Sequence, residues 1–198
     1  TLLLMFAFAF LTTMGARQTD TTLAANAILV NLQYLMAYVL DGFANAAESL
    51  TGRAIGSRDS AGVGAIVHEC LIWTLAAALV IAIIFAVAGP LAIRIVTSVP
   101  SVIETAHRYL PWMVLSPLVC AWGFLYDGVF VGAQRAGAMF GVMLVAVVVV
   151  FLPVWWLTRG FGNHGLWFAF TAFNAARGLQ QHLIFRDWLR HGSLLEVR

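Results

Sequence analysis

Residues 71–93 read LIWTLAAALVIAIIFAVAGPLAI, a run without one charged side chain. A second run of equal length, Ala136–Thr158, is also free of charge. A helix rises about 1.5 Å per residue, so either run is long enough to cross a hydrocarbon core of roughly 30 Å. Lipid offers a bare backbone no hydrogen bonds, and only helices and closed barrels satisfy their own peptide groups there. Transmembrane strands are shorter and alternate in polarity. Val142–Val150 is instead almost solid aliphatic. The fold class that follows is all-α, a polytopic transmembrane helix bundle.

The rest of the chain agrees. Of 198 residues, 62% are hydrophobic and 10% charged, and the mean hydropathy is +0.90. A soluble domain carries about a quarter charged residues. The bilayer is therefore the first expected partner. The net charge of +2 is small and dispersed, and every Lys/Arg position is arginine. Nucleic acid is excluded, because it demands a dense basic face. Cys70 and Cys120 sit in apolar segments without metal or redox spacing and read as buried thiols. There is no paired-histidine zinc spacing, Ser/His/Asp set or phosphate-cradling glycine loop, so neither an enzyme nor a bound cofactor is expected. The chain opens on Thr1 and an apolar run, Leu2–Phe10, with no basic stretch ahead of it. That is not a signal peptide, and a preceding segment is expected.

Six apolar segments are expected, at Thr1–Gly15, Leu23–Leu50, Val67–Gly89, Ala106–Ala133, Gly137–Trp156 and Gly165–Phe185. Pro90 reads as the stop of the third, and Pro111 and Pro117 as kinks in the fourth. Gly52–Gly64 reads as a turn with room for a surface helix. Pro90–Thr105 reads as the longest connector, with room for an interfacial helix. Trp112, Trp155, Trp156, Trp167 and Trp188 fall near segment ends, where an interfacial belt would place them. His68, His107, His164, His182 and His191 do likewise, and wet side chains are expected there. With the second-to-third loop inside, Arg53, Arg58, Arg135, Arg186, Arg190 and Arg198 are inside. Arg17, Arg94, Arg108 and Arg159 are outside, which favours a cytoplasmic C-terminus.

Ionisable groups within spans are costly and mark function. Asn31, Tyr34, Tyr38, Asp41, Asn45, Glu48 and Gly52 follow one another at steps of three and four, one stripe of the second helix. The stripe either lines a cavity or bonds neighbouring helices. In the fourth segment, Ser116, Cys120, Gly123, Asp127 and Gln134 lie near one face. Asp127–Gly128 there echoes Asp41–Gly42. In the sixth, Asn174, Arg177 and Gln181 share a face. Arg177 requires a carboxylate or backbone partner, with Asp127 or Asp41 expected, or else reaches for the interface. A carboxyl group at a cavity is able both to exchange protons and to attract a cationic substrate.

These stripes carry a resemblance. Leu40–Asp59, LDGFANAAESLTGRAIGSRD, with Ala24–Ala27 ahead of it, resembles the eighth helix and following loop of the multidrug and toxic compound extrusion (MATE) family, in its DinF-type branch. Tyr109–Trp112 and Asp127–Arg135 (DGVFVGAQR) resemble the tenth helix of that family. Gly162–Trp167 (GNHGLW) and Ala176–Leu179 resemble the twelfth. The resemblance covers essentially the whole chain in order and spacing. It implies that residues 1–198 are the C-terminal lobe, helices seven to twelve with the seventh cut short, of a two-lobed, twelve-helix carrier. Such proteins export organic, often cationic compounds in exchange for H+ or Na+ by alternating access.

By the same resemblance, Asp127 matches a tenth-helix acid that some branches use in cation coupling with an acid on the seventh helix. Thr1–Ala16 offers no such acid, which puts a Na+ site in doubt and leaves H+ favoured. The main coupling carboxylate of H+-coupled members lies on a first helix, outside this chain. The expectation is an inner-membrane antiporter for cationic drugs, completed by an N-terminal lobe. Its pathway residues would be Asn31, Tyr34, Tyr38, Asp41, Asn45, Glu48, Asp127, Asn174 and Arg177. The rivals are a lipid-linked oligosaccharide flippase of the same superfamily and a membrane assembly subunit without transport.

Overall fold

A computed structural model describes residues 2–192, apart from the side chains of Ser60 and Ala61. Thr1 and Arg198, placed above in the first segment and the inside set, lie outside the described residues. Six helices follow one another: α1 (Leu2–Ala16), α2 (Asp20–Gly56), α3 (Ser60–Val96), α4 (Pro100–Gly132), α5 (Ala136–Phe161) and α6 (Asn163–His191). α2 to α5 are each long and apolar enough to cross a membrane.

The helices run further than the apolar segments suggest, and the connectors shrink accordingly. α2 and α3 have 37 residues each. The turn expected over Gly52–Gly64 is only Ser57–Asp59, with no surface helix. Arg58 takes the left-handed conformation (φ 58°), and the Asp59 N–H bonds the Ala54 carbonyl at 3.0 Å. This is a Schellman closure, achieved without the usual glycine. α4 ends in the same way, through Gln134 (φ 55°) and an Arg135 N–H to Phe130 carbonyl bond of 2.9 Å.

Pro90 does not stop α3, and the connector expected over Pro90–Thr105 is replaced by Thr97–Val99. Proline removes one N–H from the ladder. Leaving the helix in lipid would expose several unsatisfied groups, so the helix continues. Gly89 lets α4 approach at that level: a methyl group there would come within 3.0 Å of Leu110 Cδ1.

α5 is regular over Ala136–Val145, widens to a π turn over Ala146–Phe151, and resumes over Leu152–Thr158. The Leu152 N–H reaches back to the Val147 carbonyl, five residues away. Pro153 explains the widening. It has no N–H, and its ring crowds the carbonyl four residues earlier.

α4 is the central helix, packed against α2, α3 and α6. Its small residues permit this. A methyl group on Gly128 would collide with the Ala44 carbonyl oxygen, and one on Gly132 with that of Glu48. α2 and α4 therefore meet backbone to backbone, the close approach that small residues give membrane helices. Gly42, the partner of Gly128 in the sequence echo, has open space around it, so the two glycines serve different ends. α3 turns Trp73, Leu79, Val80, Ile83, Ile84, Val87, Leu91 and Ile95 outward, a lipid-facing side. Trp167 departs from the expected aromatic belt. It is 1% exposed, and its Nε1–H donates to Asn26 Oδ1 at 3.0 Å.

Candidate functional site

Polar side chains inside the bundle fall into three sets. The first ties α2 to α6 near one end. The Asn26 and Asn163 amides bond each other reciprocally at 2.8 Å, and Trp167 completes the set. The second joins α2 to α4. The Ser116 hydroxyl donates to Gln33 Oε1 at 2.8 Å, with Cys120 Sγ beside both. These two sets are interhelical bonding of the kind expected of the α2 stripe. They use Asn26 and Gln33, which lie off the stripe.

The third set is charged. α1, α2, α4 and α6 enclose a cavity of about 350 Å³. Tyr34, Tyr38 and Asp41 line it from α2, Asp127 from α4, and Asn174 and Arg177 from α6, with Phe8, Gln33, Phe124 and Phe170 as further walls. Arg177 is 1% exposed and Asp127 27% exposed, and Arg177 Nη2 stands 3.5 Å from Asp127 Oδ2. Arg177 therefore pairs inward and does not reach for the interface. Its guanidinium lies over the Phe124 ring, 5.4 Å from the centroid, as a cation–π contact. Gln181 Nε2–H donates to Asp127 Oδ1 at 2.6 Å. Asn174 donates to the Phe170 carbonyl one turn back, at 2.9 Å.

Asn31, Asn45 and Glu48 share the stripe but do not line this cavity. Asn31 and Asn45 are exposed and Glu48 is half-buried. Tyr38 is 74% exposed. The stripe thus runs along an uncovered side of α2, and the cavity opens at its middle. Gln33, Phe8 and Phe124 are wall residues that the stripe did not reveal. A lone amide in an apolar window was the available signal for Gln33.

His68, His164 and His191 are exposed, as expected of wet side chains, whereas His107 and His182 are partly buried. Tyr126 Oη and His182 Nδ1 are 2.7 Å apart, Trp112 Nε1–H donates to His164 Nδ1 at 3.1 Å, and His107 Nε2 is buried. His107 borders a larger groove of about 600 Å³ between α3 and α4, lined otherwise by Leu79, Ala82, Ile83, Leu110, Val114 and similar residues.

Fold and site together define a class: multi-span helical membrane proteins whose in-span charges converge on a cavity between helices. The MatE family profile matches residues 1–157, and the chain belongs to that family. Its members are transporters, not enzymes. The chain is 38% identical over 195 residues to DNA damage-inducible protein F of Escherichia coli (strain K12), covering 97% of this chain and 42% of that protein. Its fold superimposes on an outward-facing multidrug resistance MATE family transporter of the MOP superfamily with a TM-score of 0.87, at 15% identity, over 99% of this chain and 44% of that one. The Vibrio cholerae MATE transporter VcmN in its bent form gives a TM-score of 0.84, at 19% identity, over 98% and 44%. The chain thus spans less than half the length of the relatives it matches.

Proposed function

We propose that this chain is the C-terminal six-helix lobe of a secondary antiporter. The whole protein would export organic, mainly cationic compounds across the bacterial inner membrane in exchange for H+. The observation that carries this reading is the cavity of Asp41, Asp127 and Arg177, opening on an uncovered polar side of α2. Such a side is costly against lipid, and a facing lobe would turn it into a wall. The charge set holds two carboxylates and one guanidinium, a net attraction for a cation when both acids are ionised. Tyr34, Phe8, Phe124 and Phe170 add flat apolar surface for an organic body. One arginine against two acids speaks against a pyrophosphate-linked lipid as the cargo.

Two features favour H+ over Na+. Asp127 already has Gln181 on one oxygen and Arg177 near the other. Among the described residues, α1 (Leu2–Ala16) offers no carboxylate to complete an oxygen cage. By the arginine distribution, the α2–α3 and α4–α5 turns and the C-terminus face the cytoplasm.

The test uses the protein as its host encodes it, reconstituted in liposomes with ethidium as cargo. An imposed proton gradient drives ethidium movement, a sodium gradient does not, and Asp41→Asn or Asp127→Asn lowers the rate in folded protein. Full proton-driven efflux in both variants removes the two residues from the pathway.

A further inference from the structure

We propose that Arg177 is a tethered cation shared between two carboxylates: an organic cation takes Asp127 only once Arg177 has passed to an ionised Asp41, and protonation of Asp41 sends it back. This rests on the antiporter reading and gives the cavity a coupling device of its own.

Several observations carry it. Arg177 is 1% exposed, yet Nε, Nη1 and Nη2 make no hydrogen bond among the described residues. Its contact with Asp127, at 3.5 Å, is longer than the roughly 2.7–2.9 Å of a settled charge-assisted bond. A buried guanidinium with unused donors is poised for another acceptor. Asp127 does not depend on Arg177 for its position, because Gln181 holds the other oxygen at 2.6 Å. Asp41 lines the same cavity, lies within electrostatic reach of both Asp127 and Arg177, and has no hydrogen bond among the described residues. The guanidinium borders the open cavity on one side and packs against Gly123 on the other, where a methyl group would come within 2.7 Å of Nε and Nη2. The Phe124 ring gives it a flat surface to slide across.

The titratable and charged groups that line the cavity are Tyr34, Tyr38 and Asp41 from α2, Asp127 from α4 and Arg177 from α6, while α1 brings only Leu4 and Phe8. Cys120 of α4 lies behind Gln33, bonded to it and to Ser116. With Asp41 protonated, Arg177 and Asp127 cancel and the cavity has no net attraction for a cation. With Asp41 ionised, its proton given to cavity water, one negative charge is left over and one organic cation fits. Proton and cargo thus exclude each other one for one, the relation an antiporter needs.

The experiment is titration calorimetry of tetraphenylphosphonium on the detergent-purified protein as its host encodes it. It is run at mildly acidic and mildly alkaline pH, in buffers of different ionisation enthalpy so that protons are counted. The wild type binds about tenfold more tightly at alkaline pH and releases about one proton per cation when mildly acidic. Asp41→Asn, at an exposed position, binds about tenfold more weakly at alkaline pH and releases none. Arg177→Gln restores binding in the Asp41→Asn background. A merely structural Arg177 would not, since its loss would weaken binding in every background.

The proposal is overturned if Asp41→Asn keeps the wild-type affinity and proton release, or if the double variant, folded by size exclusion, binds no better than Asp41→Asn. If the arginine variants fail to fold, the wild-type and Asp41→Asn proton counts decide alone. A wild type that binds no cation at either pH overturns the antiporter reading instead.

Discussion

Asn26→Ala removes the most completely bonded polar side chain in the bundle. Asn26, Asn163 and Trp167 are each 1% exposed, and three hydrogen bonds link them at 2.8, 2.8 and 3.0 Å. All three pass through Asn26. Hydrogen bonds between membrane helices average about 0.6 kcal/mol, so the loss comes to about 2 kcal/mol. At about 2–4 °C per kcal/mol for a chain of this size, the unfolding midpoint should fall by about 4–8 °C. The assay is the fluorescence-monitored thermal unfolding of detergent-purified protein. Asn163→Ala removes two of the same three bonds. Those two are lost only once in the double variant, which should therefore cost about 1 kcal/mol less than the sum of the singles. Additive singles, or an Asn26→Ala protein that melts with the wild type, would refute the view that this amide pair fixes α6 against α2.

Other outcomes follow from the packing. Gly128→Ala sets a methyl group against the Ala44 carbonyl and should destabilise by about 1–3 kcal/mol as α2 and α4 spread. Gly141→Ala, with nothing within 4 Å on the outward side of α5, should melt no lower than the wild type, because alanine is the better helix former. At mildly acidic pH, with Asp41 protonated, Asp127→Asn leaves the buried Arg177 without a carboxylate and should cost up to about 3 kcal/mol. The Asp127→Asn/Arg177→Gln pair should recover most of that in chemical denaturation. A single variant as stable as the pair would separate this ion pair from stability.

The sequence revealed helix type more readily than helix length. A charge-free run in lipid has no alternative to helix, so α3 and α5 were legible from their aliphatic content alone. Their ends were not. Gly52–Gly64 and Pro90–Thr105 contain glycine, proline and charge, which break helices in water. Here continued backbone bonding outweighs those local preferences, and each turn closes in three residues. The cavity was legible in azimuth and not in depth. Steps of three and four put Asn31, Asp41 and Glu48 on one side of α2, but periodicity cannot say at which level neighbouring helices part. Only Tyr34, Tyr38 and Asp41 lie at that level. Gln33 was hidden because it sits about 100° around the helix from Tyr34, among apolar neighbours. The π turn of α5 follows from Pro153 once the helix is known to continue past it.

A helix of 37 residues is about 55 Å long. Even tilted by about 40°, it needs only roughly 26 residues to cross the hydrocarbon, so about eleven stand outside. Glu48, Arg53, Arg58, Asp59, His68 and Glu69 gather toward the α2–α3 turn, so that is where the overhang falls. The hairpin is thus a handle in the water phase, rigidly continuous with the helix that carries Asp41. A label on Ser57 would report from one side of the membrane only. Because no flexible joint intervenes, its tilt would report the movement of the cavity wall itself.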